Sequence, residues 1–157
     1  QKSRQVWWKI RPHMDFGTIE FRMLDAQRSL VRTKMFLAFA QALVYQAMED
    51  YKNKKLCEVF SSEFLADSLW KACRFDFQSK IIDVSTNNII LMEDKINEML
   101  NYITPALEFF GNESTLNVAA EILKNGPEYV EQIQIYESKG FDSLNKFLMD
   151  NVDYKIL

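Results

Sequence analysis

The chain has 157 residues, 48% of them hydrophobic and 26% charged, which is the length and balance of one globular domain able to bury a core. Its formal net charge is −3 and its Lys and Arg are spread along the sequence, which argues against nucleic acid as a partner. Two cysteines, Cys57 and Cys73, close at most one bridge, lack the spacing of a zinc site, and read as reduced thiols of a cytoplasmic protein.

Gln1-Lys2-Ser3-Arg4 leads into a strand-like Val6-Trp7-Trp8 with no long apolar stretch, so no signal peptide is expected. Residues 6–11 and 18–24 alternate and are rich in aromatic and β-branched side chains, and Pro12 to Gly17 between them reads as a loop. From Ser29 to about Tyr51 the pattern turns helical and apolar nearly all round, with Leu30, Phe36, Leu37, Ala40, Leu43, Val44 and Ala47, as a central helix needs. Its most apolar part, Met35 to Met48, is interrupted by Gln41 and Gln46 and is too short and polar to span a bilayer.

Ser61-Ser62-Glu63 suits the start of a second helix running to about Arg74, since a Ser oxygen can accept from first-turn amides. Lys80–Val84 and Ile89–Leu91, joined through Ser85-Thr86-Asn87-Asn88, fit a small hairpin. Glu93 to Phe110 is helical and stops at Gly111, and Ser114 to Asn125 makes a further helix. Pro127 to Lys139 and Asp142 to about Asn151 form two more, separated by Gly140. No repeat or linker divides the chain. The expected fold is α+β and predominantly helical: a strand pair in residues 1–28, then a helical region in 29–157 with a hairpin near 80–91.

Thr18, Glu20 and Arg22 share one face of the second strand, and Ile19, Phe21 and Met23 the other. Glu20 and Arg22 stand about 7 Å apart at two rises of the strand, which suits one ion and one anion side by side better than a tight pair. A carboxylate can hold Mg²⁺, and a guanidinium can grip a phosphate in bidentate fashion. Arg11, with Lys9 and Trp7, adds to that polar floor. Spacing alone is equally that of a solvated sheet face. His13, the single histidine, reads as solvated or locally hydrogen-bonded. Asp25 reads as the cap of the next helix, with support of an arginine as the other option, and Trp7, Trp8 and Trp70 read as packing residues.

Trp8-Lys9-Ile10-Arg11-Pro12, followed by Gly17-Thr18-Ile19-Glu20-Phe21-Arg22-Met23-Leu24-Asp25-Ala26, resembles the signature of bacterial glutamate–cysteine ligase-like carboxylate–amine ligases. Trp70-Lys71-Ala72-Cys73-Arg74-Phe75, Ile81-Ile82-Asp83 and Ile122-Leu123-Lys124-Asn125-Gly126 are similar to later stretches of that family, so the resemblance covers nearly the whole chain. It implies a glutamine synthetase-like fold, in which a curved antiparallel sheet forms a funnel for ATP, Mg²⁺ and an amino acid, and of which this chain is the carboxyl-terminal part. The strand pair would then be a ribbon of that sheet, completed by strands preceding Gln1.

By the same resemblance Glu20 would be a metal ligand, Arg22 would contact ATP phosphates or the acyl phosphate, Arg11 would bind phosphate or a substrate carboxylate, and Arg74 would close over the site. The implied reaction is phosphorylation of a carboxylate, typically that of glutamate, followed by attack of an amine acceptor. Asp67-Ser68-Leu69 before Trp70, and Asp76 where a Gly often follows, depart from the family pattern, so the acceptor need not be cysteine. A homo-oligomer is left open. The competing expectation is a helical binding or scaffolding module derived from the same fold, against which the retained Glu20 and Arg22 argue. A small hydrolase lacks a nucleophile–base pair.

Overall fold

The computed structural model describes residues 8–56 and 61–150, so Trp7, Cys57 and Asn151 lie outside the described residues. Two short antiparallel ribbons and a set of helices follow one another, which is the expected mostly helical α+β architecture. In the first ribbon β1 (Ile10–His13) pairs with β2 (Thr18–Phe21) in the register Ile10↔Phe21, Arg11↔Glu20, Pro12↔Ile19 and His13↔Thr18. Gly17, at φ 60°, supplies the left-handed residue that closes the loop between them. The second strand stops earlier than its apolar pattern suggests. One more backbone bond, from the Arg22 amide to the Lys9 carbonyl at 2.8 Å, extends the pairing beyond Phe21.

Helix α1 (Leu30–Lys52) begins at Ser29, whose hydroxyl accepts from the Arg32 amide at 3.4 Å. Asp25 is therefore not the cap: it lies four residues too early, in the connection between ribbon and helix. Nor is α1 apolar all round in its packing. Met35, Ala38, Phe39 and Ala42, spaced as one helical stripe, are buried, whereas Leu37 is 66% exposed and Leu30 41%. Helix α2 (Ser62–Phe75) starts where expected, but the Ser61 hydroxyl bonds the Glu63 carboxylate instead of capping an amide. A 3₁₀ turn (Asp76–Gln78) leads from α2 into the second ribbon.

That ribbon pairs β3 (Lys80–Asp83) with β4 (Asn88–Leu91) and carries the chain into α3 (Met92–Phe109), which ends at Gly111 with φ 65°. Helix α4 (Thr115–Asn125) is closed by Gly126, and α5 (Glu128–Asp150) is broken at Gly140, whose φ of 78° separates the two helices expected there. Pro105 sits inside α3. Its missing N–H removes one donor from the helix, and the neighbouring Thr104 hydroxyl binds the Leu100 carbonyl at 2.8 Å.

The core lies where α3 and α4 pack on α1: the α1 stripe meets Ile103, Ala106, Leu107 and Ala119, with Leu43, Leu100, Leu116 and Ile122 around it. Alanines at 38, 42 and 106 let the helices approach. Tyr45 stacks on Phe109 at 5.0 Å, and the Tyr102 hydroxyl donates to Asp50 across the pair at 2.5 Å. Helix α2 buries no residue fully and packs instead on β3. Among the described residues no helix is long and apolar enough to cross a membrane.

Asp83, buried at the end of β3, organises the second turn. It accepts from the Thr86 hydroxyl at 2.7 Å, the Ser85 hydroxyl at 2.8 Å and the Lys95 ammonium at 3.2 Å, while Asn87 takes a left-handed φ of 58°. The Thr86 and Ser85 bonds, aided by Lys95, outweigh burial and hold the Asp83 carboxyl well below the usual carboxylate range. A group whose pKa falls on folding stabilises the protein above its unfolded pKa, about 4, and loses that contribution as pH falls. Unfolding free energy measured in urea should therefore decline between about pH 5 and pH 2, and should decline less in Asp83→Asn. Parallel curves for the two proteins would remove Asp83 from this role.

Candidate functional site

Hairpin register puts Arg11 directly opposite Glu20, on the face that Arg22 shares two residues further on. The Arg11 guanidinium reaches the Glu20 Oε2 oxygen through Nε at 2.6 Å and Nη2 at 2.5 Å, and the Arg22 Nε lies 3.6 Å from Oε1. Backbone spacing had suggested that Glu20 and Arg22 stand apart, but their long side chains close the gap. One carboxylate is thus held between two guanidiniums, leaving one positive charge on the trio. The Glu20 side chain remains 44% exposed, so these pairs add little stability and chiefly fix the orientation of three long side chains.

Thr18 and His13 continue the same face toward the loop. His13 is not solvated as expected: it stacks on Phe16 with ring centroids 4.4 Å apart, and its Nδ1 atom is buried without a hydrogen-bond partner. Arg74 takes no part in the ribbon's ion pairs. It is exposed on α2 with its guanidinium 5.4 Å from the Phe75 ring, and Trp70 meets the same ring edge-on. Cys73, beside it, carries a free and exposed thiol. Among the described residues no three His, Cys, Asp or Glu side chains converge in a way that could hold a metal ion by themselves.

A second polar cluster went unseen in the sequence. Glu128, at the start of α5, accepts from Arg28 Nε at 2.5 Å and from Arg32 Nη1 at 3.0 Å, tying the connection after the ribbon and the first turn of α1 to the last helix. Burial pushes the Glu128 carboxyl up, but bonds from Arg28 and Gln132 and the charges of both arginines prevail, and its pKa is lowered. Arg28 also lies over the Phe147 ring at 4.4 Å, so one side chain touches α5 on both sides of the Gly140 break. The i, i+4 spacing of Arg28 and Arg32 is visible in the sequence. Their partner, 96 to 100 residues away, is not. Beside the cluster lies a cavity of about 530 Å³ whose walls are mostly apolar, including Met35, Phe39, Met99, Leu100 and Ile122, with Arg32, Glu128 and Asp25 among its polar groups.

Comparison with known proteins gives this geometry its context. A protein of Thermobifida fusca that bears the name glutamate–cysteine ligase 2 is 32% identical over 137 residues, covering 87% of this chain and 34% of that protein. Proteins given the same name in Gloeobacter violaceus and Herpetosiphon aurantiacus are 29% and 24% identical, over 85% and 88% of the chain. All three belong by name to a ligase class of enzyme. The model of glutamate-cysteine ligase family 2 matches residues 1–143, and the chain belongs to that family. It spans 34–36% of the length of these three relatives.

Proposed function

We propose that this chain is the carboxyl-terminal portion of an ATP-dependent carboxylate–amine ligase that works through an acyl phosphate, and that the ribbon face is one wall of its nucleotide site. The observation that carries this reading is Glu20 held between Arg11 and Arg22 on an open strand face, in a chain of a ligase family. Arg22 would grip the transferring phosphoryl group, and Arg11 a neighbouring phosphate or the glutamate carboxylate. Two preorganised guanidiniums neutralise charge that builds up in phosphoryl transfer, where the protein has little covalent work to do. Arg74, on a separate element, would join only if the rest of the protein brings α2 toward the ribbon.

Mg²⁺ is usually held through one or two carboxylates, with substrate phosphates and water completing its shell. Glu20 offers one such carboxylate, its Oε2 taken by Arg11 and its Oε1 3.6 Å from Arg22, so the residues fit a Mg²⁺ only when it arrives with ATP, whose phosphates would offset the two guanidiniums. Bound there, the ion would supply electrostatic stabilisation of the phosphate oxygens. The reaction on this reading transfers the γ-phosphoryl group of ATP to the glutamate γ-carboxylate, after which an amine attacks the acyl phosphate and phosphate leaves. The free thiol of Cys73 and the net charge of −3, with Lys and Arg spread along the sequence, support a cytoplasmic enzyme that acts on small molecules and not on nucleic acid.

With glutamate and cysteine, residues 1–157 alone should release no phosphate from ATP, whereas the full-length polypeptide should. In the active enzyme Glu20→Gln should raise the Mg²⁺ concentration needed for half-maximal rate by about tenfold or more, since loss of even an outer-shell partner of a metal commonly costs that much. Turnover by residues 1–157 alone would overturn the incomplete site, and an unchanged Mg²⁺ response would remove Glu20 as the ligand. A full-length polypeptide with no turnover for any amine would favour the scaffolding alternative.

A further inference from the structure

His13 lies on the same strand face as Arg11, two cross-strand pairs nearer the loop than Arg11 and Glu20. Its Nδ1 is buried and has no partner, and a buried polar nitrogen left unsatisfied costs on the order of 1–3 kcal/mol unless something else completes it. Cross-strand neighbours give no help. Thr18 stands opposite, and the ring itself is held by the stack on Phe16, an exposed residue of the loop whose amide binds the His13 carbonyl at 3.2 Å. The loop also leaves Met14 82% exposed and Phe16 71% exposed, so the aromatic side chain stacked on the imidazole lies at the surface rather than in packed core.

We propose that His13 is a ligand-binding residue of the ribbon face, its Nδ1–H donating to an oxygen of the polyphosphate of a nucleoside triphosphate beside Arg11. The inference rests on the reading of that face as a phosphate site and extends it by two residue pairs toward the loop. Two rises of a strand, about 7 Å, separate His13 from Arg11. Adjacent phosphates of a polyphosphate chain can bridge such a distance, which a single phosphate touching Arg11 and Arg22 does not. The surrounding charge favours an anion: Lys9, Arg11 and Arg22 outnumber Glu20 and the loop's Asp15. The proposal accounts for the unpaired nitrogen and requires the loop that carries Phe16 to shift so that Nδ1 is uncovered.

The chain holds one histidine, so its imidazole gives a single unambiguous set of NMR signals. Titration of the 157-residue chain with inorganic tripolyphosphate should shift the imidazole resonances together with the arginine Nε–H signals that Arg11→Ala and Arg22→Ala remove. His13→Phe keeps an aromatic ring to stack on Phe16 but has no donor, and should weaken binding about tenfold, while His13→Asn, with a donor amide, should recover most of it. If the arginine signals move and His13 does not, the phosphate site stands and the role of His13 is overturned. If neither moves, the reading of the ribbon as a phosphate site falls, and this proposal with it.

Discussion

If the ribbon face is the proposed phosphate wall, Arg22→Ala in the full-length polypeptide should lower kcat by about 100-fold or more while changing the KM for ATP much less, because removal of one preorganised electrostatic contact to a developing charge typically costs that much. The expectation depends on how the ribbon holds the residue. Arg22 leans toward Glu20 at 3.6 Å, whereas Arg11 is locked to the same carboxylate by two shorter contacts. Loss of Arg22 leaves the Arg11–Glu20 pair intact. Arg11→Ala is a different experiment: it releases one Glu20 oxygen as well as deleting a cation, so its effect should appear in the Mg²⁺ response too. Arg22→Lys tests shape against charge, since an ammonium keeps the charge but loses the planar fork, and should restore only a minor part of the rate. Steady-state rates for the three variants at saturating Mg²⁺, with a Mg²⁺ titration of Arg11→Ala, decide the matter. A wild-type kcat in Arg22→Ala would remove this residue from the chemistry.

Much of the fold could be read from local rules because most of its boundaries are set locally. Ser29 ends its extended run and starts α1 through its own hydroxyl, and Gly111, Gly126 and Gly140 each carry the positive φ that terminates a helix, so the sequence marks those limits without knowledge of the neighbours. Asp25 misled because an acidic residue shortly before a helix resembles a cap, yet capping needs the residue immediately before the first turn, and Ser29 occupies that place. The nearly all-round apolar pattern of α1 overstated its burial for a different reason. An apolar sequence shows what can be covered, but cover comes from other elements: α3 and α4 reach only the stripe through Met35, Ala38, Phe39 and Ala42, and Leu37 stays exposed.

The site divides along the same line. Alternation placed Thr18, Glu20 and Arg22 together, a purely local inference that the strand obeys. The pairing of Arg11 with Glu20 follows from register, which a loop of residues 14–17 fixes once its ends are known, and that step was within reach of the sequence. The tie from Arg28 and Arg32 to Glu128 was not, since no local periodicity relates residues about a hundred positions apart. His13 falls between the two cases. Its face was predictable from register, but the unpaired state of Nδ1 appears only when every nearby donor and acceptor has been placed.

Leu107→Ala should destabilise the chain by about 2–5 kcal/mol, the range for truncating a fully buried leucine, and should do so without altering the ribbon. Leu107 and Ile103 are fully buried one turn apart on α3, facing the α1 stripe, so the methyl groups removed at 107 leave a space enclosed on two sides by helices. Relaxation is limited there. Ala42 and Ala106 are also fully buried, and small residues at a helix contact have no longer side chain to swing into the gap. The penalty therefore belongs in the upper half of the range, enough to consume a large share of the stability of a domain this size. Urea unfolding followed by far-ultraviolet circular dichroism measures it, and Leu107→Met, which nearly conserves volume, should cost less than about 1.5 kcal/mol. The ribbon supplies the control: it pairs chiefly with itself while the core is built by α1, α3 and α4, so the imidazole response of His13 to tripolyphosphate should survive Leu107→Ala in native buffer. A loss of under 1 kcal/mol would mean that α3 is held to α1 mainly by contacts outside this stripe, such as the Tyr45–Phe109 stack and the Tyr102–Asp50 bond.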